Sequence, residues 1–148
     1  MARDRTALGR PARAADAPGM EPDELIDAAV GMVGDCGDAA FLVTMDGTIV
    51  AWNERATEFF GVAPWHACQK DCATVVHAFT PSGDVVCTSD CPVRARVGHA
   101  IVTPEIRVNV LVDDVPSNVR HAHVHHLPIV HEDAGPLAIL HVIGREPD

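Results

Sequence analysis

Four of the five cysteines lie between residues 68 and 91, as two pairs, Cys68/Cys72 and Cys87/Cys91, with three residues inside each pair. Cysteines four apart on a helix face the same side, so each pair can grip one ion or cluster. Together they offer four thiolates, the full set for a tetrahedral Zn site or an iron–sulfur cluster. The same residues fit other chemistry. Cys87 can pair with Cys91 or Cys72 in a thiol–disulfide switch, and buried thiols can simply fill a core. If Cys68 belongs to the core, Cys72, Cys87 and Cys91 need a fourth ligand, for which histidine, neutral near pH 7, is suited.

The chain has nine histidines, five of them between residues 121 and 131. In HAHVHH, strand alternation sends His121, His123 and His125 to one face and Ala122, Val124 and His126 to the other. The apolar partners mark the second face as the core side, so His126 points inward. The outward row reads as a solvated strand face that can also bind Zn or Ni or sense pH. His141 alternates with Ile139 and Ile143 and is read as inward too. His126, His141 and His77 are the candidate fourth ligands. Asp71, Asp84 and Asp90 flank the cysteines, fit turns and caps, and raise thiol pKa values, the wrong direction for a nucleophile. The chain has no nucleophile elbow, phosphate-binding glycine loop or metalloprotease helix motif, and is read as no enzyme.

These residues need a scaffold, and the composition allows one. The 148 residues suit a single domain with one core, and 47% of them are apolar. A net charge of −10 disfavours direct binding to nucleic acid. No apolar run approaches the length of a membrane span, and no apolar block follows the N-terminal arginines. The protein is therefore expected in the cytoplasm, where thiols stay reduced. Residues 1–20, rich in Ala, Arg and Pro without an apolar period, are expected to be a disordered leader. Residues 21–147 are expected to form one domain, with a flanking helix at 21–34 and a core at 38–147.

PDELIDAAVGMVGD predicts the helix, with Pro22 in its first turn and Gly34 or Gly37 at its end. AAFLVTMDGTIVAWN predicts a β-hairpin turning at Asp46-Gly47. Asn53 should cap the helix ERATEFFGV, and Gly61 should close it. One or two helical turns follow over 63–76, then a turn at 81–84 and a helix from Pro92. Strands are predicted over Glu105–Val112, Val119–Val130 and Leu137–Gly144, with polar turns at 113–117 and 131–135. The sum is an α+β domain: a five-stranded antiparallel sheet with short helices on one face and an N-terminal helix.

The opening GDAAFLVTMDGTIVAWNERATEFFGV (34–62) and the close HHLPIVHEDAGPLAILHVIGRE (125–146) resemble a PAS sensor domain. CATVVHAFTPSGDVVCTSDCPV (72–93) resembles a bacterial PAS subgroup with one Cys, a Gly-containing loop, then Cys-x3-Cys-Pro. By that pattern Cys72, Cys87 and Cys91 match and Cys68 is extra; His141 falls where the subgroup often has His. The resemblance implies that the cysteine stretch flanks the concave face of the sheet, where cofactors sit. It implies a signal-sensing domain, passing a redox or oxygen signal from a cysteine-ligated iron–sulfur or metal site to a kinase or transcription regulator. Structural Zn or a thiol switch in an interaction module is the alternative. A haem ligated by His99 fits less, and the residues that hold flavin in light-sensing relatives are missing. Homodimerisation through Leu25, Ile26, Ala29 and Val33 is also implied.

Overall fold

The structure, a computed structural model, describes residues 19–86, 91–98, 105–112 and 115–145. Cys87, His99, residues 1–18 of the expected leader and the start of the expected 113–117 turn lie outside the described residues.

Helix α1 (Pro22–Asp35) begins where Glu24 Oε1 accepts the Glu21 N–H at 2.9 Å. Its acidic first turn suits the positive end of the helix dipole. Its cap is Cys36, whose N–H donates to Val33 O, and neither Gly34 nor Gly37. The hairpin pairs β1 (Ala39–Thr44) with β2 (Ile49–Trp52). Its turn is one residue wider than an Asp46-Gly47 pair. Gly47 N–H donates to Thr44 O, Thr44 N–H donates to Thr48 O, and Gly47 takes φ 94°, a conformation that favours glycine. Then come α2 (Glu54–Phe60), ended by Gly61 at φ 73°, and the single turns α3 (Pro64–Ala67) and α4 (Cys72–Val75). After β3 (Ala78–Phe79), helix α5 (Pro92–Gly98) precedes the long meander β4 (Ile106–Val112), β5 (Val115–His131) and β6 (Gly135–Arg145).

All strand pairs are antiparallel, in the order β2-β1-β6-β5-β4-β3. The sheet thus has six strands where five were expected. The extra one, β3, pairs only Ala78 with Val110 and Phe79 with Asn109, too short to leave a periodicity in the sequence. β5 also starts at Val115, inside the turn expected over 113–117.

Helices cover both faces. Phe41, Val43, Val108, Val110, Val124 and Ile143 point to the inner face, where α2, α3 and α4 close a core with Phe59, Phe60 and Ala67. Ala40, Leu42, Ile129, Ala138 and Leu140 point to the outer face and pack against α1. This is why β1 reads as an unbroken apolar run: it is buried on both sides. Leu25, Ala29 and Val33 of α1 are at most 2% exposed, against the chain's own sheet. They are therefore not the free dimer surface that the sequence suggested, and Ile26 beside them is half-buried; Val30 is the exposed large hydrophobic residue of that helix. Burial of Leu25 and Val33 is worth roughly 1.5–3 kcal/mol each. No helix among the described residues is long and apolar enough to cross a membrane.

Asn53 joins three of these elements. Its side-chain oxygen accepts from Ala56 N–H of α2 (2.8 Å) and Ala40 N–H of β1 (3.1 Å). Its amide donates to Val33 O at the end of α1 (3.0 Å) and Asp38 O (2.9 Å). Asn53 is 8% exposed, and the bonds to Ala56, Ala40 and Val33 are buried from water. Substitution Asn53→Ala should lower stability by about 2–4 kcal/mol, as a lost cap plus orphaned buried groups. Asn53→Asp should cost at least as much, because its carboxylate faces two carbonyls. Urea unfolding midpoints check both; a loss below about 1 kcal/mol would remove Asn53 from this role.

Candidate functional site

Between the inner sheet face and helices α4 and α5 lies a cavity of about 60 Å³. That is well above the roughly 10–15 Å³ that a site needs to hold one water. Its wall is mostly apolar, with Phe41, Val108, Val110 and Ile143 from the sheet and Val76 and Val93 from the helices. Five side chains break that character: Cys72, Cys91, Arg94, His126 and His141.

The imidazoles come from neighbouring strands. β5 and β6 pair His126 directly with His141, and the rings meet edge to face, 4.8 Å apart at 79°. His141 also stacks on Phe41, 4.5 Å apart at 13°. His141 Nδ1 donates to Ile139 O at 3.2 Å. A carbonyl can only accept, so Nδ1 carries the proton and Nε2 keeps its lone pair. Burial, then the neighbouring His126, pushes the His141 pKa down to about 3. Burial, then His125, pushes His126 down to about 4. His126 is 9% exposed, and its Nδ1 is buried without a hydrogen-bond partner. Both rings are therefore neutral at pH 7, the form that ligates metals.

The thiols do not sit as the spacing suggested. Cys68 caps the end of α3 and Cys72 opens α4, with Gln69 at φ 70° between them. The break follows from Asp71, whose carboxylate accepts the Ala73 N–H at 2.9 Å and starts a new helical turn. The two cysteines are thus not one face of one helix. Cys68 packs against the inner core away from the cavity wall, and burial raises its thiol pKa. Cys91 stands just before α5, where its carbonyl accepts the Ala95 N–H, and it lines the cavity with Cys72. His77 lines a separate crevice with His66 and Thr74, so it is not brought to the other candidates. Among the described residues no three His, Cys, Asp or Glu side chains converge as a metal site.

One wall residue left no signal in the sequence beyond an arginine on a short helix. Arg94 of α5 lines the cavity and donates to Met45 O in the hairpin turn at 3.3 Å. Its guanidinium lies against Gly47, where an added Cβ would sit 3.0 Å from an Arg94 nitrogen. Cys72 N–H donates to Gly47 O at 2.8 Å. The segments bearing both cavity cysteines are therefore fastened to the same turn.

The architecture matches known structures closely enough to fix the fold. A PAS domain from Colwellia psychrerythraea superposes with a TM-score of 0.55 at 16% identity, over 82% of this chain and 97% of the other. The PAS domain of an HTR-like protein from Haloarcula marismortui gives 0.54 at 16%, over 84% and 93%. The PAS domain of BvgS from Bordetella pertussis gives 0.51 at 13%, over 83% and 86%. No protein-family model and no curated protein matches the chain. The fold is the PAS fold, as the sequence resemblance implied.

The neutral imidazoles set a pH dependence. Their folded pKa values lie below the ordinary 6.5, so the unfolded chain binds the extra protons. Stability is full above about pH 6.5 and falls as the pH drops towards 4. The loss should reach roughly 2 kcal/mol per histidine between pH 7 and pH 5. Urea midpoints at the two pH values measure it, and His141→Phe should flatten the slope. An unchanged slope would mean that His141 is solvated.

Proposed function

We propose that this PAS-fold chain is the sensing domain of a signalling system and reads a redox or metal signal in the inner cavity. One observation carries the reading: thiols from two separate segments, Cys72 at the start of α4 and Cys91 just before α5, share a wall with two neutral imidazoles. Thiolate with neutral imidazole is a donor set used by zinc and by mixed-ligand iron–sulfur centres. By donor type these residues fit such a group. Cys72 and Cys91 would hold it, with His126 or His141 and Cys87 as the further ligands. Bound there, the group would supply a change of oxidation state or ligand number.

The chain's own residues would carry that change outward. Movement of Cys72 pulls on Gly47 O, and movement of α5 pulls on Met45 O through Arg94. Both act on the β1–β2 turn. The same two strands pack α1 on the opposite face. Signal would thus pass from cavity to hairpin to α1, whose outward side, with Val30, would meet a second copy or an output protein such as a kinase or transcription regulator. Sensing fits better than catalysis because the described cavity wall carries no carboxylate to orient a Cys–His pair.

A small neutral organic ligand is the second reading. The apolar wall and the unpartnered His126 Nδ1 favour it. Protein purified without air and assayed for Fe, Zn and acid-labile sulfide separates the two. The proposal expects near-stoichiometric metal, lost in Cys72→Ser and in Cys91→Ser and kept in Cys68→Ala. Metal-free wild-type protein, or metal that survives both serine variants, would overturn it; a co-purifying organic molecule would favour the second reading.

A further inference from the structure

A second recess lies apart from the inner cavity, where α2 meets the start of β1 and the strands β5 and β6. It encloses about 330 Å³, within the roughly 300–1,000 Å³ of pockets that take small molecules. It shares only Ile143 with the wall of the inner cavity. Four charged side chains line it, two of each sign: Asp38, Arg55, Glu58 and Arg120.

Two of the four already face each other. Arg55 Nη1 lies 3.9 Å from Glu58 Oε1, one turn along α2. Arg120 is anchored at one nitrogen and open at the others. Its Nη1 donates to Glu58 O and Phe59 O, 2.8 Å each, and its guanidinium lies over the Phe59 ring, 5.6 Å from the centroid. A guanidinium presents a rigid fork of N–H donors. The Nε and Nη2 donors of Arg120 make no hydrogen bond among the described residues. The Asp38 carboxylate engages none of the described residues either; only the Asp38 carbonyl is used, by Asn53. Arg120 and Asp38 thus line one recess with opposite charges, and among the described residues no ion pair joins them.

We propose that this recess binds a free α-amino acid by its two charged ends. The Nε–Nη2 edge of Arg120 takes the carboxylate in two parallel hydrogen bonds, a geometry that guanidinium and carboxylate share. Asp38 takes the ammonium. The balanced lining selects this class over a simple anion or cation. Asp38 and Glu58 repel an anion, and Arg55 and Arg120 repel a cation, whereas a zwitterion meets each sign with its opposite. The α2 carbonyls and the Phe59 ring fix the Arg120 fork before any ligand arrives, which lowers the cost of binding. Occupancy draws the α1–β1 connection, through Asp38, towards the end of α2, through Arg120.

Calorimetry of the full chain against each standard L-α-amino acid in turn tests the site. The proposal expects at least one to bind in a one-to-one ratio. The matching amine without the carboxylate, and the N-acetyl form without the ammonium, should each bind more than roughly tenfold more weakly, as the loss of a charge-assisted contact. Arg120→Lys keeps a cation at the α2 carbonyls but loses the fork, and should weaken binding by a similar factor. Asp38 is exposed and its carboxylate supports nothing in the fold. Asp38→Asn should therefore stay folded and weaken binding by roughly two- to fivefold, the worth of an ion pair near the surface. Cys72→Ser/Cys91→Ser should bind as the wild type does, so failure here leaves the cavity reading untouched. No amino acid bound, equal affinity for the amine or the N-acetyl form, equal affinity in Asp38→Asn or Arg120→Lys, or a loss in the double serine variant would each overturn the assignment.

Discussion

Everything distinctive in this molecule depends on the register of one strand. β5 holds the histidine-rich run, and alternation divides it: His126 enters the inner cavity while His121, His123 and His125 face out. A slip of one residue would exchange the two sets. It would bury three imidazoles in an apolar wall and leave Ala122 and Val124 in water. Several contacts prevent this. Arg120 reaches the inner side and donates to Glu58 O and Phe59 O at the end of α2, 2.8 Å each. Ile129, fully buried under α1, fixes the other end, next to a bulge between Ile129 and Val130.

From that register follows a division of labour between the faces. The inner face joins two thiols and two imidazoles, and burial keeps those rings neutral. The outer face sets the Glu105 carboxylate against His123 and His125 near solvent, where hydrogen bonding decides the geometry. The hairpin turn ties the inner site to the remainder of the chain. Gly47 serves it twice, by adopting a positive φ and by leaving space for the Arg94 guanidinium. Asn53 then fastens β1, the start of α2 and the end of α1 together, so strain in the hairpin is not absorbed locally.

Much of this was legible in the sequence, because it rests on local chemistry. Asn53, Gly61 and Pro92 mark helix ends by their backbone preferences, and period-two alternation correctly placed His126 and His141 inward. What was not legible depends on tertiary placement. Spacing alone made Cys68 and Cys72 look like one helical pair, but the Asp71 cap divides the helix between them. His77 looked like a ligand because nothing local says which side of the sheet a short connecting segment takes. The α1 stripe looked like a partner surface because amphipathicity cannot tell the chain's own sheet from another molecule. Arg94 and the two-residue β3 left no pattern at all.

The central claim is that thiols and imidazoles occupy one enclosure under β5 and β6. Ring resonances of the histidines, assigned by NMR in the wild type and in Cys91→Ser, test it directly. The account predicts that removing this one sulfur shifts the His126 and His141 ring signals while those of His121 stay in place. Unmoved His126 and His141 signals, or a shift confined to the outer row, would contradict it.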